Sequence, residues 1–242
     1  MNIQNYTQTM RTIAVKEIRG FFNSPVAYIV IMVFLLLAGW FFASPIFLIN
    51  QVTIEHLLVN IPLLFIFIIP AITMRLFAEE FKIGTIESLS VQPIEDYEVI
   101  IGKYAAAVFL LAVCIAGTLI HPISLMMLGK LDWGQVLCSY LGLMLMGSSY
   151  IAMGIFASSL TRNQIVAFIF GFLFCFVFFI FGKIIFFMPG ILKNIISFLS
   201  MDTHFDNIAK GIIDLRDMLY YVSIIGAFLY ATLLVVINRR WR

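Results

Sequence analysis

The glutamates of one polar segment, residues 75–103, are the side chains whose type and spacing most suggest a function. Glu79 and Glu80 are adjacent, and Glu87 follows beyond Gly84. The segment holds six of the chain's 13 acidic residues between two long apolar runs. Carboxylates grouped in one loop can pair with basic side chains of a soluble partner, whereas a loop that only reverses the chain can be much shorter. The pattern therefore predicts a docking surface, and the alternative is a merely solvated face.

The same segment contains residues that start and stop helices. Gly84 interrupts a helical pattern that passes through Glu79 and Glu80, and residues 85–91 could form a short separate helix. Pro93 suits a first helical position, and the acidic residues after it favour the positive end of a helix dipole. We expect the order helix, kink, short helix, turn, helix.

No catalytic constellation accompanies these carboxylates. The three Gly-Lys pairs lack the preceding glycine and the following Ser or Thr of a phosphate-binding loop. The run Gly147-Ser148-Ser149 could belong to a serine hydrolase only with a base, and His121 is the one candidate in a membrane segment, so helix packing is the favoured reading. The histidines and cysteines have no metal-ligand spacing. The sequence predicts no catalytic residue, no metal and no cofactor bound by this chain.

The composition indicates which solvent surrounds these residues. Hydrophobic residues make up 62% of the 242 residues and charged residues 12%, against about 45–50% and 25% in ordinary globular domains. Lipid is therefore the expected solvent. A net charge of +2 without a basic stripe argues against a nucleic-acid partner. We interpret residues 1–242 as a single membrane domain.

Six stretches without Asp, Glu, Lys or Arg are long enough to cross a bilayer, apart from Lys183 within the fifth. Backbone hydrogen bonding in lipid requires helices or closed barrels, and the alternation of a barrel strand is absent. The predicted fold class is all-α and polytopic, with spans at residues 26–48, 57–74, 104–128, 136–160, 164–188 and 219–237.

The basic residues near the span ends predict the orientation. With both termini in the cytoplasm, ten of them lie on that side, namely Arg11, Lys16, Arg19, Arg75, Lys82, Lys103, Arg162, Arg239, Arg240 and Arg242. Four lie opposite, namely Lys130, Lys193, Lys210 and Arg216. Residues 75–103 are then a cytoplasmic loop, and residues 189–217 an outer loop.

Amphipathic stretches flank the spans. Residues 10–22 suit a helix lying in the headgroup region, and residues 189–217 suit outer helices that do not cross. Lys183 either extends to the outer headgroups or contacts a transported molecule, and His121-Pro122 marks a kink more readily than a proton relay.

These motifs together resemble a known family. The pattern Glu79-Glu80-x-x-x-Gly84-Thr85-x-Glu87, with Pro93 and Gly102-Lys103 leading into a span, resembles the cytoplasmic loop of ABC type-2 exporter permeases. The N-terminal Lys16-Glu17-x-Arg19 and the stretch from His204-Phe205 to Tyr220 are similar, more narrowly, to the gliding-motility-associated permease subunit.

The resemblance implies a division of labour between chains. It makes residues 10–22 a connecting helix and residues 85–91 a coupling helix received by a separate ABC ATPase subunit, which binds ATP and Mg²⁺. The coupling residues would be Glu79, Glu80, Gly84, Thr85 and Glu87, and the translocation path or outer gate would involve Lys183, His204 and Phe205.

The resemblance also implies surroundings and partners. We expect a bacterial inner membrane, a second permease copy or a related permease, and an accessory gliding-motility subunit; the substrate does not follow. The alternative is a secondary transporter or channel that works without ATP. Such proteins carry intramembrane ionisable residues or inverted repeats, for which this chain offers only Lys183 and His121.

Overall fold

The described part of the chain consists of helices joined by short connections. The structure, a computed structural model, describes residues 3–49, 54–84, 95–126, 132–185, 189–212 and 214–240. In these ranges no strand occurs, which confirms the all-α fold class. The helices are α1 (Ile3–Phe22), α2 (Pro25–Ile49), α3 (Glu55–Thr73), α4 (Arg75–Ile83), α5 (Asp96–Gly117), α6 (Ile120–Met126), α7 (Trp133–Ser159), α8 (Gln164–Ile184), α9 (Gly190–Leu199), α10 (Met201–Ala209) and α11 (Leu215–Arg240).

Within the described residues, six helical stretches are long and apolar enough to cross a membrane, as predicted. In order they are Pro25–Pro45, Leu57–Ile83, Asp96–Met126, Trp133–Ser159, Gln164–Ile184 and Leu215–Arg239. The second span combines α3 with α4, and the third combines α5 with α6.

The fourth span, α7, forms the centre of the bundle and packs against α3, α5, α8, α10 and α11. Small residues let its neighbours approach closely. A Cβ on Gly154 would lie 2.2 Å from Thr73 Oγ1, and a Cβ on Gly147 would lie 2.5 Å from Leu111 Cδ2. Helices in lipid associate through such van der Waals packing. The first span lies at the periphery, where Met32, Leu36 and Trp40 are each 67% exposed.

Two spans are interrupted. The second span contains Pro70 and a break at Met74. The third is interrupted at Thr118, whose carbonyl would otherwise accept a hydrogen bond from residue 122, a proline without a backbone N–H. His121 stacks on Phe42 with the ring centroids 4.6 Å apart beside this break, so His121-Pro122 lies at a kink.

Some helix ends differ from the prediction. The N-terminal helix begins at Ile3, not at residue 10. The helix expected from Pro93 begins at Asp96, because Glu95 and Glu98 form a reciprocal capping box that satisfies the first N–H groups. Pro93 itself lies outside the described residues.

Candidate functional site

One buried lysine joins three helices at the end of the bundle that carries residues 75–103. Lys103 Nζ lies 2.9 Å from Glu17 Oε1 and 2.7 Å from Glu80 Oε1. The Lys103 side chain is 1% exposed, and its ammonium lies 5.3 Å from the centroid of the Phe77 ring. A buried ammonium is stable only when opposite charges and hydrogen bonds replace its water. We call Glu17, Glu80 and Lys103 the lysine network; it connects α1, α4 and α5.

A close helix crossing positions this network. A Cβ on Gly102 would lie 2.7 Å from Ile13 Cγ2 and 3.2 Å from the Met10 carbonyl oxygen. Only glycine therefore allows α1 to lie directly on the first turns of α5. One turn after Ile13, Glu17 is then close to Lys103.

A second contact fixes the end of α1 to the start of α4. Arg75 donates hydrogen bonds from Nη2 to the Gly20 carbonyl at 3.3 Å and from Nη1 to Ser24 Oγ at 3.2 Å. Its guanidinium lies 4.9 Å from the centroid of the Phe21 ring. A cation at the carbonyl end of a helix also interacts favourably with the helix dipole. Arg75 therefore holds the second span against the N-terminal helix.

A polar cleft of about 280 Å³ lies between α1 and α4, next to these contacts. Glu17, Glu79 and Glu80 supply three carboxylates, and Arg75 and Lys103 supply two cations. Lys103 is paired with two of the carboxylates, and Arg75 is directed to α1. Glu79 is partly exposed on the cleft wall. The excess of negative charge suits a basic group.

Gly84 ends α4 in a left-handed conformation, with φ 81° and ψ 11°, and its N–H donates to the Glu80 carbonyl at 2.9 Å. L side chains rarely adopt this conformation, so glycine sets the direction in which the chain leaves α4. The other predicted coupling residues, Thr85 and Glu87, lie outside the described residues, as does the predicted coupling helix.

A second group of ionisable residues lies at the opposite end of the bundle, where α9 and α10 cover the ends of three spans. Lys183 Nζ contacts Asp202 Oδ2 at 2.9 Å; Lys183 is 53% exposed and Asp202 only 11%. Burial raises the pKa of Asp202, and Lys183 opposes this rise in pKa. A Cβ on Gly182 would lie 2.6 Å from Asp202 Cβ, so glycine lets α10 approach.

His204 makes the other side-chain contact with an aspartate in this group. Its Nδ1 lies 2.6 Å from Asp217 Oδ1 on α11, and its Nε2 lies 3.1 Å from the Phe198 carbonyl. The His204 ring stacks on Tyr220 with the centroids 4.0 Å apart. We call Lys183, Asp202, His204 and Asp217 the histidine cluster.

Tyrosine hydroxyls attach α11 to the ends of α9 and α10. Tyr220 Oη donates to the Leu199 carbonyl at 2.5 Å, and Tyr221 Oη donates to the Met201 carbonyl at 2.9 Å. These carbonyls lie at the junction between the two short helices. The junction is therefore fixed by side chain to backbone hydrogen bonds.

The structure brings some of the predicted site residues together and separates others. Glu80 meets Lys103, whereas Glu79 faces the cleft. Lys183 and His204 both contact aspartates of the histidine cluster. Phe205 is buried against Gly142 on α7, where a Cβ would lie 3.2 Å from its ring.

Sequence reasoning missed several partners in these contacts. The sequence marks Lys103 as a basic residue of a motif at a span end and Glu17 as part of the N-terminal motif, and it predicts no contact between them. Asp202, Asp217 and Tyr221 were not singled out as site residues. The one available signal was the presence of Asp and His on the predicted outer helices, close to the start of the last span.

Six spans and flanking amphipathic helices define a multi-pass helical membrane protein. The family model described as "ABC-2 family transporter protein" matches residues 50–237, and the chain therefore belongs to this family. Members are membrane components of ABC transporters and are generally not themselves catalytic, so the protein is a membrane permease of an ABC exporter. No curated protein matches the chain in a sequence comparison.

Proposed function

We propose that this permease couples to a separate ABC ATPase subunit through residues 75–103, and that the ATPase binds ATP and Mg²⁺. The lysine network is the observation that carries the proposal, because it joins α1, α4 and α5. It lies near the end of α4 and the start of α5, the two helices that flank residues 85–94. A displacement of the loop would therefore be transmitted to three helices at once. Packed helices move as rigid bodies when a protein switches between two conformations.

The cleft between α1 and α4 is the expected contact for a basic side chain of the ATPase subunit. Glu79 lines it beside a paired lysine and an anchored arginine, and Ile83 is 66% exposed at its edge. A carboxylate next to an exposed apolar side chain can bind the charged head and the alkyl stem of an arginine or lysine. Thr85 and Glu87 belong to the same proposed contact.

The proposal also covers the partners of the permease in the membrane. The protein acts with a second permease copy or a related permease in a bacterial inner membrane, with both termini in the cytoplasm. The resemblance of the N-terminal and outer motifs supports a gliding-motility-associated exporter with an accessory subunit. In that complex Lys183, His204 and Phe205 line the outer gate.

Purification of the tagged full-length chain from its native membrane tests the coupling. We expect vanadate-sensitive ATP hydrolysis to co-purify with it. Glu79→Lys should lower the retained ATPase activity about tenfold, which corresponds to about 1.4 kcal/mol of association free energy. Lys82→Ala, on the exposed face of the same helix, is the control and should retain the wild-type activity. No co-purifying hydrolysis, or equal activity in Glu79→Lys and wild type, would contradict the proposal.

A further inference from the structure

The second span is interrupted at Met74, and a side chain of the fourth span fills the interruption. Ser158 Oγ accepts hydrogen bonds from the N–H groups of Phe77 and Ala78, each at 3.1 Å. The same hydroxyl donates to the Met74 carbonyl at 2.9 Å. In an uninterrupted helix the two N–H groups would donate to the carbonyls four residues earlier, at Thr73 and Met74. The serine hydroxyl thus stands in for the helix's own hydrogen bonds.

We propose that Ser158 is the latch of a hinge at Met74 and holds the second span in its bent conformation. Insertion of a side chain into the backbone hydrogen-bond ladder is a recognised cause of helix bending. The Phe77 and Ala78 N–H groups have two alternative acceptors, the Ser158 hydroxyl and the backbone carbonyls four residues earlier. When α4 moves relative to α3, these N–H groups change from one acceptor to the other. Ser158 is a positioning residue for the coupling described above, and the inference rests on that proposed function for its role in transport.

The packing around Ser158 leaves the hydroxyl little freedom. Ser158 is fully buried. One turn earlier on α7, Gly154 lies directly against Thr73, where any Cβ would be 2.2 Å from Thr73 Oγ1. The close approach at glycine brings the serine within hydrogen-bond distance of the next turn of the second span. Thr73 Oγ1 itself donates to the Ile69 carbonyl at 3.0 Å, a contact that also bends helices.

The two sides of the hinge differ in the charged residues that hold them. On one side, α4 is held through Glu80 by the lysine network and through Phe81 by Arg239, whose guanidinium lies 4.6 Å from the ring centroid. Both α3 and α4 pack against α7 and α8, and α3 makes the larger contact. A displacement of the network relative to the core would therefore act first on α4, the helix that the network contacts. Met74 is the residue between the two helices.

The backbone at the hinge allows this exchange at low cost. Met74 has φ −53° and ψ −33°, which are helical values. The interruption therefore consists of displaced hydrogen bonds, since the backbone angles of Met74 stay helical. Loss of the hydroxyl would let α3 and α4 rejoin as a continuous helix.

Distance measurements between spin labels test the latch on the full-length protein without its ATPase. Labels on Ile83 at the end of α4 and Ile165 at the start of α8 are both well exposed, at 66% and 71%. The background replaces the three native cysteines by alanine, namely Cys114, Cys138 and Cys175. A nine-residue helix is about 13 Å long, so a change in bend of about 20° moves its tip by about 5 Å. We expect Ser158→Ala to shift the distance by about that amount.

The neighbouring residue supplies a matched control. Ser159 is equally buried, but its hydroxyl donates to the Phe156 carbonyl of its own helix. Ser159→Ala should keep the wild-type distance, and Ser158→Thr, which retains a hydroxyl, should keep it too. An unshifted distance in Ser158→Ala, or equal shifts in Ser158→Ala and either control, would overturn the latch.

A second readout separates the latch from the coupling on which its role depends. In the complex with the ATPase subunit, Ser158→Ala should lower hydrolysis, whereas Ser159→Ala should not. A shifted distance with unchanged hydrolysis would support the latch and contradict its role in the proposed coupling. Loss of hydrolysis with an unshifted distance would overturn the latch alone.

Discussion

The two ends of the bundle hold their flanking helices by different interactions. At one end a single lysine, 1% exposed, pairs with two glutamates from different helices. At the other end the short helices are attached by Lys183, which is 53% exposed, by the histidine pair and by two tyrosine hydroxyls. Separating the first set exposes a buried charge at once, whereas the second set can be released one contact at a time. The comparison indicates a rigid unit at the lysine network and a stepwise cap at the histidine cluster.

Removal of the lysine should have the largest effect. Lys103→Met leaves Glu17 and Glu80 close together without their cation, and breaking a buried charge pair costs about 3–5 kcal/mol. Thermal unfolding of the purified protein should show a clearly lower apparent Tm. The exposed Lys82→Met is the control and should be neutral.

A compensating variant sharpens the same prediction. With Glu17→Gln and Glu80→Gln added to Lys103→Met, no buried charge remains unpaired, and most of the lost stability should return. Equal apparent Tm values for Lys103→Met and Lys82→Met would mean that the lysine network does not hold the three helices together.

Removal of one tyrosine hydroxyl should have a smaller and more local effect. Tyr221→Phe removes the hydrogen bond to the Met201 carbonyl, and a typical intramolecular hydrogen bond contributes about 0.5–1.5 kcal/mol to stability. Hydrogen exchange in α10 should rise, while exchange in α1 and α4 stays unchanged. Tyr230→Phe, 62% exposed on the same helix, is the control. Faster exchange at both ends of the bundle would contradict the idea of independent attachments.

A change of pH should have the smallest effect, and it should act mainly through Asp202 of the histidine cluster. Because burial raises the pKa of Asp202 in the folded protein, the folded state binds its proton more tightly than the unfolded state. This contribution is fully present below the ordinary Asp pKa of about 3.9 and is lost as the pH rises through the folded-state pKa.

Asp202→Asn removes that titration. The difference in apparent Tm, variant minus wild type, should therefore be more positive at neutral pH than in acid. In acid the wild-type carboxyl is protonated and resembles the amide. Asp206→Asn should flatten the pH profile less, because Asp206 is more exposed, although burial and Asp202 also raise its pKa. If the apparent Tm of Asp202→Asn followed the same pH profile as wild type, the histidine cluster would have no role in the pH dependence of stability.

The spans could be predicted from sequence because lipid imposes a simple rule on long apolar runs. The partners of charged residues could not, because they are distant in sequence. Lys103 is separated from Glu17 by 86 residues and from Glu80 by 23. Without the helix packing at Gly102, nothing distinguishes this lysine from others at span ends. The break at Met74 was likewise invisible, because its cause lies 84 residues away at Ser158.

The roles predicted for Glu79, Glu80, Gly84, Thr85 and Glu87 stay predictions, since they concern a partner chain. The same holds for Lys183, His204 and Phe205 as an outer gate. The structure adds a reason to test them in pairs. Glu80 has an intramolecular ion pair, whereas Glu79 faces the cleft, so substitutions at the two adjacent glutamates should separate stability from partner binding.

The contact between Gly154 and Thr73 also restricts where a transported molecule can travel. With no room even for a methyl group, the seam between the second and fourth spans is sealed at that depth. Cargo therefore cannot pass between these two helices at that depth for as long as they remain in contact.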